Sequence, residues 1–270
     1  KKKFMPELIS GAKIGAFCLS EPGSGSDAAS LRTSAVKKGK GYVLNGVKQF
    51  ITNGMHSDVF AVMARTGGPG PKGVSCFLVE RGTDGLKGGK VEKKMGMRVS
   101  PTQEILFENC EVPAESLVGA EGQGFEVAKR ALDGGRISIG AIANGISSAA
   151  LSTAVSYAKE REQFGSPIIS NQGISFLLAD MATELEASRL LVLQAAALRD
   201  QGRPYSLQAS MAKLKSTEAC MRITTDAVQV LGGYGYMEEF KVERYMREAK
   251  MLTIVEGTSQ IQRLIIARSL

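Results

Sequence analysis

The feature that most restricts this chain is a change of rhythm near residue 115. Before it, short β-branched and aromatic runs alternate with turn clusters: Gly41-Tyr42-Val43-Leu44, Val47-Lys48-Gln49-Phe50-Ile51, Val59 to Ala64, Val74 to Val79 and Ile105 to Phe107. The Asn45-Gly46 pair predicts a hairpin, because a type I′ turn needs positive φ at both central positions. After residue 121, alanine, leucine, methionine and glutamate recur at helical spacing. Four helices follow: Gly122 to about Glu160, interrupted at Asp133-Gly134-Gly135; Asn171 to Asp200, with Leu177, Leu178, Met181, Leu185, Leu190, Leu191 and Leu193 as its apolar stripe; Ser206 to Leu231; and Glu243 to Leu270, interrupted at Glu256-Gly257. Strands and then helices, without alternation, predict an α+β multidomain chain. Residues 1–115 form an antiparallel β-barrel-like domain and residues 116–270 a C-terminal four-helix bundle. The opening Lys1 to Pro6 carries no strand or helix-start logic, and a first residue other than methionine suggests a longer parent chain.

Composition narrows the chemistry. One histidine, His56, excludes two-histidine zinc sites and leaves proton transfer mainly to carboxylates. The four cysteines, Cys18, Cys76, Cys110 and Cys220, have no Cys-x-x-Cys spacing and read as small buried residues in a reducing compartment; no metal site is expected. The net charge of +7 divides as +6 before residue 116 and +1 after it, mostly lysine beside glycine, which suits solvated turns better than a nucleic-acid face. Uninterrupted apolar runs are too short for membrane insertion. No Gly-x-Gly-x-x-Gly opens a helix after a strand, so nicotinamide binding has no support.

Several segments carry chemistry. Phe17-Cys18-Leu19-Ser20-Glu21-Pro22-Gly23-Ser24-Gly25-Ser26-Asp27 leads from a strand into a loop rich in N–H groups and hydroxyls. Such a loop is either a plain strand exit or a cradle for a polar ring edge or phosphate. Glu256-Gly257-Thr258 reads as a helix start, with Gly257 for a sharp turn, Thr258 as N-cap and Ile261, Leu264 and Ile265 as the buried face. Gly134-Gly135 weakens a helix by about 1 kcal/mol per glycine and so marks a close backbone approach. Arg161 is a helix-end arginine and Gly232-Gly233 a helix C-cap pair.

Taken whole, the string from Phe17 to Asp27 resembles the first signature of the acyl-CoA dehydrogenases, flavoprotein oxidoreductases that place an α,β double bond in an acyl-CoA thioester. The resemblance continues in order through Gln49-Phe50-Ile51-Thr52-Asn53-Gly54, Glu121-Gly122-Gln123-Gly124-Phe125, Glu160-Arg161-Glu162-Gln163-Phe164-Gly165, Gln229-Val230-Leu231-Gly232-Gly233-Tyr234-Gly235 and Glu256-Gly257-Thr258-Ser259-Gln260-Ile261-Gln262. It implies the family fold without its N-terminal helical domain, and FAD as cofactor.

The resemblance makes Glu256 the base that removes the α-proton while the β-hydride passes to flavin N5, and it assigns the thioester oxygen to the Glu256 backbone N–H and a flavin ribityl hydroxyl. Other branches carry the base at the position of Gly135, which leaves Glu256 as the candidate here. Phe17, Leu19, Ser20 and Ser26 match contacts to the flavin edge. Phe50 and Thr52 match positions beside the ring and phosphates, with Phe50 where many relatives have tryptophan. Arg161, Phe164 and Gln172 match the segment that reaches a neighbouring subunit's FAD, and Gln229, Gly232 and Gly233 match the adenosine-diphosphate contact. Thr258 and Gln260 complete the cofactor set. Ser26, Asp133, Arg136, Gly257 and Arg268 match the acyl-CoA side.

Gly25 to Leu31, Arg65 to Gly73 and Gly134-Gly135-Arg136 look most like the isobutyryl-CoA branch of the family, whereas Met95-Gly96-Met97-Arg98 leans toward short/branched-chain members. The resemblance therefore implies a short, branched acyl-CoA, fatty acid or branched-chain amino acid degradation, electron-transfer flavoprotein as partner, and a homodimer or homotetramer. It places the protein in the cytoplasm of a bacterium or the mitochondrial matrix of a eukaryote. An acyl-CoA oxidase, or a catalytically silent oligomerising or CoA-binding fragment, remains the alternative.

Overall fold

A computed structural model describes residues 3–270, which divide into two compact units meeting in sequence at Arg130 and Ala131. The first unit opens with a short helix, α1 (Met5–Ser10), where no element is expected; Pro6 sits in its first turn and Gly11 closes it at φ +77. Seven strands follow: β1 (Gly15–Cys18), β2 (Ser34–Lys38), β3 (Gly41–Thr52), β4 (Val59–Arg65), β5 (Val74–Glu80), β6 (Leu86–Val91) and β7 (Thr102–Pro113). They form one sheet in the order β1-β4-β2-β3-β7-β6, with β5 on the other edge of β4. The sheet is an open half-barrel. Its pairings are antiparallel except where β1 and β2 run parallel to β4. Phe60, Phe77, Phe107, Leu44 and Ile105 fill its core.

The hairpin expected at Asn45-Gly46 is absent, because both residues lie inside β3. The β2–β3 turn is at Gly39-Lys40, with Gly39 at φ +57. Asn45-Gly46 instead makes a bulge against β7. A Cβ on Gly46 would fall 2.6 Å from the Thr33 Cα, so glycine is needed there for a close backbone approach.

The second unit is helical. α2 (Gly124–Glu160) starts at the end of the first unit and continues through it; α3 (Gln172–Asp200), α4 (Ser206–Leu231), α5 (Val242–Leu252) and α6 (Ser259–Ala267) follow. α5 and α6 together take the fourth place of the bundle. The expected break at Asp133-Gly134-Gly135 does not occur, and α2 is continuous. On α3, Leu178, Met181, Leu185, Val192 and Ala195 are buried, but Leu190 and Leu193 of the expected stripe face outward. By length and mean hydropathy α2 is the one described helix able to cross a membrane. Its Ala143, Ala150, Ala154 and Ala158 are nonetheless buried in the cores of the bundle. Between α2 and α3 a two-residue hairpin, β8 (Glu162–Gln163) and β9 (Ser166–Pro167), turns at Phe164-Gly165, both at positive φ.

Candidate active site

In the first unit the strand exit after β1 is fixed by two buried side chains. Glu21 accepts the backbone N–H groups of Arg32 at 2.6 Å and Thr33 at 2.9 Å, and it pairs with Lys48 Nζ at 2.8 Å. Lys48, on β3, also donates to the Leu19 carbonyl at 3.0 Å. The next residue, Gln49, donates its N–H to the Ser20 carbonyl at 2.8 Å. A second bulge on β3, between Lys48 and Ile51, accompanies this contact and sets Phe50 at φ +59 with its ring exposed. The motifs at residues 17–27 and 49–54 are thus joined. Burial pushes the Glu21 carboxyl up, but Lys48 and the two N–H donors outweigh it and hold it below the ordinary range. Leu19 is buried, Ser20 half-buried, and Phe17, Ser26 and Thr52 are exposed.

In the second unit the turn between α5 and α6 carries Glu256 at φ +53 and Gly257 at φ +92. Thr258 caps α6, its Oγ1 accepting the Ile261 N–H at 3.3 Å. The buried face of α6 is not the expected Ile261, Leu264 and Ile265: Ser259 and Gln262 are buried and Leu264 is exposed. Gln262 looks back on the turn instead, its Nε2 donating to the Gly257 carbonyl at 2.8 Å and the Glu256 carbonyl at 3.2 Å. The fully buried Lys213 of α4 donates to the same Gly257 carbonyl at 2.8 Å.

The Glu256 side chain lies over α2 at Gly135. A Cβ added there would stand 2.7 Å from Oε1 and nearer still to Oε2, so the close approach that the glycine pair signals is by Glu256 itself. Oε2 is buried and has no hydrogen-bond partner. Burial raises the Glu256 carboxyl above its ordinary range, and the charges of Arg136 and Lys213 partly oppose the rise. Arg136 is buried and pairs with Asp133 Oδ1 at 2.6 Å, an oxygen that also accepts Ser206 Oγ at 2.9 Å. The backbone N–H groups of Glu256 and Gly257 make no hydrogen bond among the described residues. The turn therefore offers a desolvated carboxylate beside two free donors, which is what abstraction of a weakly acidic C–H next to a carbonyl demands.

Elsewhere in this unit Arg161, Gly232 and Gly233 line one cleft of about 530 Å³ with Tyr157, Ile168 and Tyr234. The Arg161 guanidinium lies 5.8 Å from the centroid of the Tyr234 ring. Gln229, exposed in the last turn of α4, accepts the Gly232 N–H. Phe164 is fully exposed on its hairpin, and Gln172, Gln260 and Arg268 are exposed at the ends of α3 and α6.

Residues 16–110 match the acyl-CoA dehydrogenase middle domain, and residues 122–270 match the acyl-CoA dehydrogenase C-terminal domain. The chain belongs to the acyl-CoA dehydrogenase family. It is 48% identical over 272 residues to a mitochondrial isobutyryl-CoA dehydrogenase of Dictyostelium discoideum, covering all of this chain and 65% of that one. It is 52% identical over 271 residues to an acyl-CoA dehydrogenase of Bacillus subtilis, covering all of this chain and 72% of that one. Among solved structures, butyryl-CoA dehydrogenase from Megasphaera elsdenii superposes with a TM-score of 0.98 at 46% identity, covering 99% of this chain and 70% of that one. The chain thus spans about two thirds of the length of these relatives.

For this acyl-CoA dehydrogenase chain, three residues of the two motif supports escape a reading of the sequence. Lys48 follows Tyr42, Leu44 and Gly46 at period two, and Lys213 follows Ala209 and Ala212 on the buried stripe of α4, so periodicity could have marked both as inward. Gln262 lies three residues from Ser259 and has no such signal.

Proposed function

We propose that the chain carries the base and the cofactor-binding residues of an FAD-dependent dehydrogenase acting on a short, branched acyl-CoA. The observation that carries this reading is the Glu256 carboxylate, half-buried, with Oε2 unpartnered and held against Gly135. A thioester α-proton is far less acidic than a carboxylic acid, so the base must be desolvated and the developing enolate oxygen must meet hydrogen-bond donors. Glu256 takes the α-proton, and its own free N–H is offered to the thioester oxygen. Lys213 and Gln262 hold the turn that sets both.

FAD fits the residues present. In the first unit Phe17 and Phe50 leave aromatic rings exposed, as a flavin ring needs; in the second, taken by itself, Arg161 with Gly232-Gly233 opens onto one cleft, as a diphosphate needs. Bound FAD supplies the acceptor for the β-hydrogen and its electron pair. Electron-transfer flavoprotein is the proposed onward acceptor, and a homo-oligomer, in which Arg161, Phe164 and Gln172 serve a neighbouring subunit's FAD, the proposed assembly. The setting is the mitochondrial matrix of a eukaryote or the cytoplasm of a bacterium. The branched short-chain reading draws on the similarity to isobutyryl-CoA and butyryl-CoA dehydrogenases.

The test is anaerobic mixing of the FAD-loaded chain with isobutyryl-CoA, followed by flavin absorbance. Bleaching that disappears in Glu256→Gln supports the reading. Absence of bleaching in the wild type, or its survival at full rate in Glu256→Gln, refutes it. Peroxide release at the turnover rate in air would turn the assignment to an oxidase.

A further inference from the structure

Lys213 is a fully buried ammonium in the middle of α4 and makes no ion pair among the described residues. Its recorded hydrogen bond is to one backbone carbonyl, that of Gly257. That carbonyl already receives Gln262 Nε2 at 2.8 Å, so satisfying it does not require a second donor. Burying a charge is among the more costly things a fold does, and an apolar side chain of the same length would fill the space without that penalty. What lysine adds at this position is the positive charge.

The charged groups around it fall into pairs, with two exceptions. Arg136, on α2, has Asp133, and Glu218, on α4, has Arg263 of α6 at 2.7 Å. Lys213, fully buried, and Glu256, half-buried, remain, of opposite sign and neither with an ion-pair partner among the described residues. They are linked through one residue, because Lys213 grips the carbonyl of Gly257, the neighbour of Glu256. We propose that Lys213 is a positioning residue for the base: its ammonium locks the left-handed Glu256-Gly257 turn from α4, and its charge keeps the Glu256 carboxylate ionised over Gly135. The electrostatics run the same way. Burial pulls Lys213 down to about 8, with Arg136 adding to the fall and Glu256 and Glu218 opposing it, while Lys213 in turn lowers Glu256. The groups that act on Glu256 are thus Arg136 from α2 and Lys213 from α4.

The proposal rests on Glu256 as base, so its test reads Glu256 without turnover. The chain is labelled with carboxyl-13C glutamate, and the Glu256 signal is assigned by its disappearance in Glu256→Gln. It is then titrated in the wild type, Lys213→Met and Lys213→Arg. Lys213 lowers the Glu256 carboxyl, so Lys213→Met should raise the Glu256 midpoint and Lys213→Arg should restore most of the difference. The acidic limb of the flavin-bleaching profile should move with the signal, and the maximal rate should fall while the isobutyryl-CoA concentration for half-saturation holds. An unchanged Glu256 midpoint in folded Lys213→Met overturns the proposal. If that variant does not fold, Lys213→Gln is titrated in its place. Failure of both neutral variants to fold would assign Lys213 to the fold alone and equally overturn it. Bleaching that survives Glu256→Gln would instead strike the base assignment, and the two failures are told apart by the carbon signal.

Discussion

Replacing Gly135 with alanine separates the stability of α2 from the placement of the base. In a helix interior alanine is favoured over glycine by about 1 kcal/mol, and Gly135 lies within the unbroken span of α2. The new methyl would stand 2.5 Å from the Glu256 carboxyl carbon and nearer still to Oε2, well inside van der Waals separation, against the far end of a side chain that can rotate away. The cheap response is for the carboxylate to retreat by about 1 Å or more, and a misplacement of about 1 Å already costs a reaction about 100-fold. Gly135→Ala should therefore melt no lower than the wild type while its flavin bleaches about 100-fold more slowly with isobutyryl-CoA in stopped flow. Gly134→Ala is the control. A Cβ there meets nothing closer than the Arg199 guanidinium at 3.9 Å, so it should gain about 1 kcal/mol, roughly 2–4 °C in melting temperature, and keep the wild-type rate. Equal bleaching rates in Gly134→Ala and Gly135→Ala would refute the placement of the base.

Two further outcomes follow from the buried charges. Because burial raises the Glu256 carboxyl in the folded state, the stability it contributes is full below the unfolded pKa and is lost as pH rises through the folded one. Glu256→Gln should thus melt above the wild type at pH 7, and the gap should close on acidification below the ordinary carboxylate range, as thermal scans at several pH values would show. Lys48→Met leaves Glu21 charged, buried and unpaired, and should cost about 3 kcal/mol or more in urea unfolding followed by tyrosine fluorescence. The lowered Glu21 pKa means that its stabilisation is present above the ordinary carboxyl range and fades as pH falls through the folded value, so the deficit of the variant should be widest near neutral pH and should narrow on acidification.

The change from strand to helix patterning was legible because burial on one face writes a period of two or 3.6 into any sequence, and the limits of α3 and α4 follow from it almost to the residue. Asn45-Gly46 misled because the same permissive backbone serves a turn and a bulge, and Thr33, which decides between them, is remote in sequence. The turn with two positive φ values lies at Phe164-Gly165, where an aromatic occupies the first position and no hairpin preference marks it. Gly134-Gly135 left α2 whole because the missing side chains make room without removing hydrogen bonds. The buried cysteines held to expectation, with burial pushing Cys18 up to about 12 and Cys76, Cys110 and Cys220 up to about 11. The supports of the site stayed hidden. A lysine that grips a carbonyl in the core and a lysine in water are the same letter, and the carbonyl it grips is fixed only by tertiary packing.

Among the described residues, six other than glycine have positive φ: Phe50, Asn53, Met97, Asn109, Phe164 and Glu256. Bulky side chains in the left-handed region carry about 1 kcal/mol or more of strain each, and glycine would relieve it. Three of the six, Phe50, Phe164 and Glu256, are residues that the family pattern assigns to flavin or base. A laboratory lineage selected only for heat resistance would then be drawn to glycine at these three positions, and to alanine at Gly135. Such a lineage would grow sturdier while its colour and turnover faded, so libraries built for thermal tolerance should hold these four codons fixed.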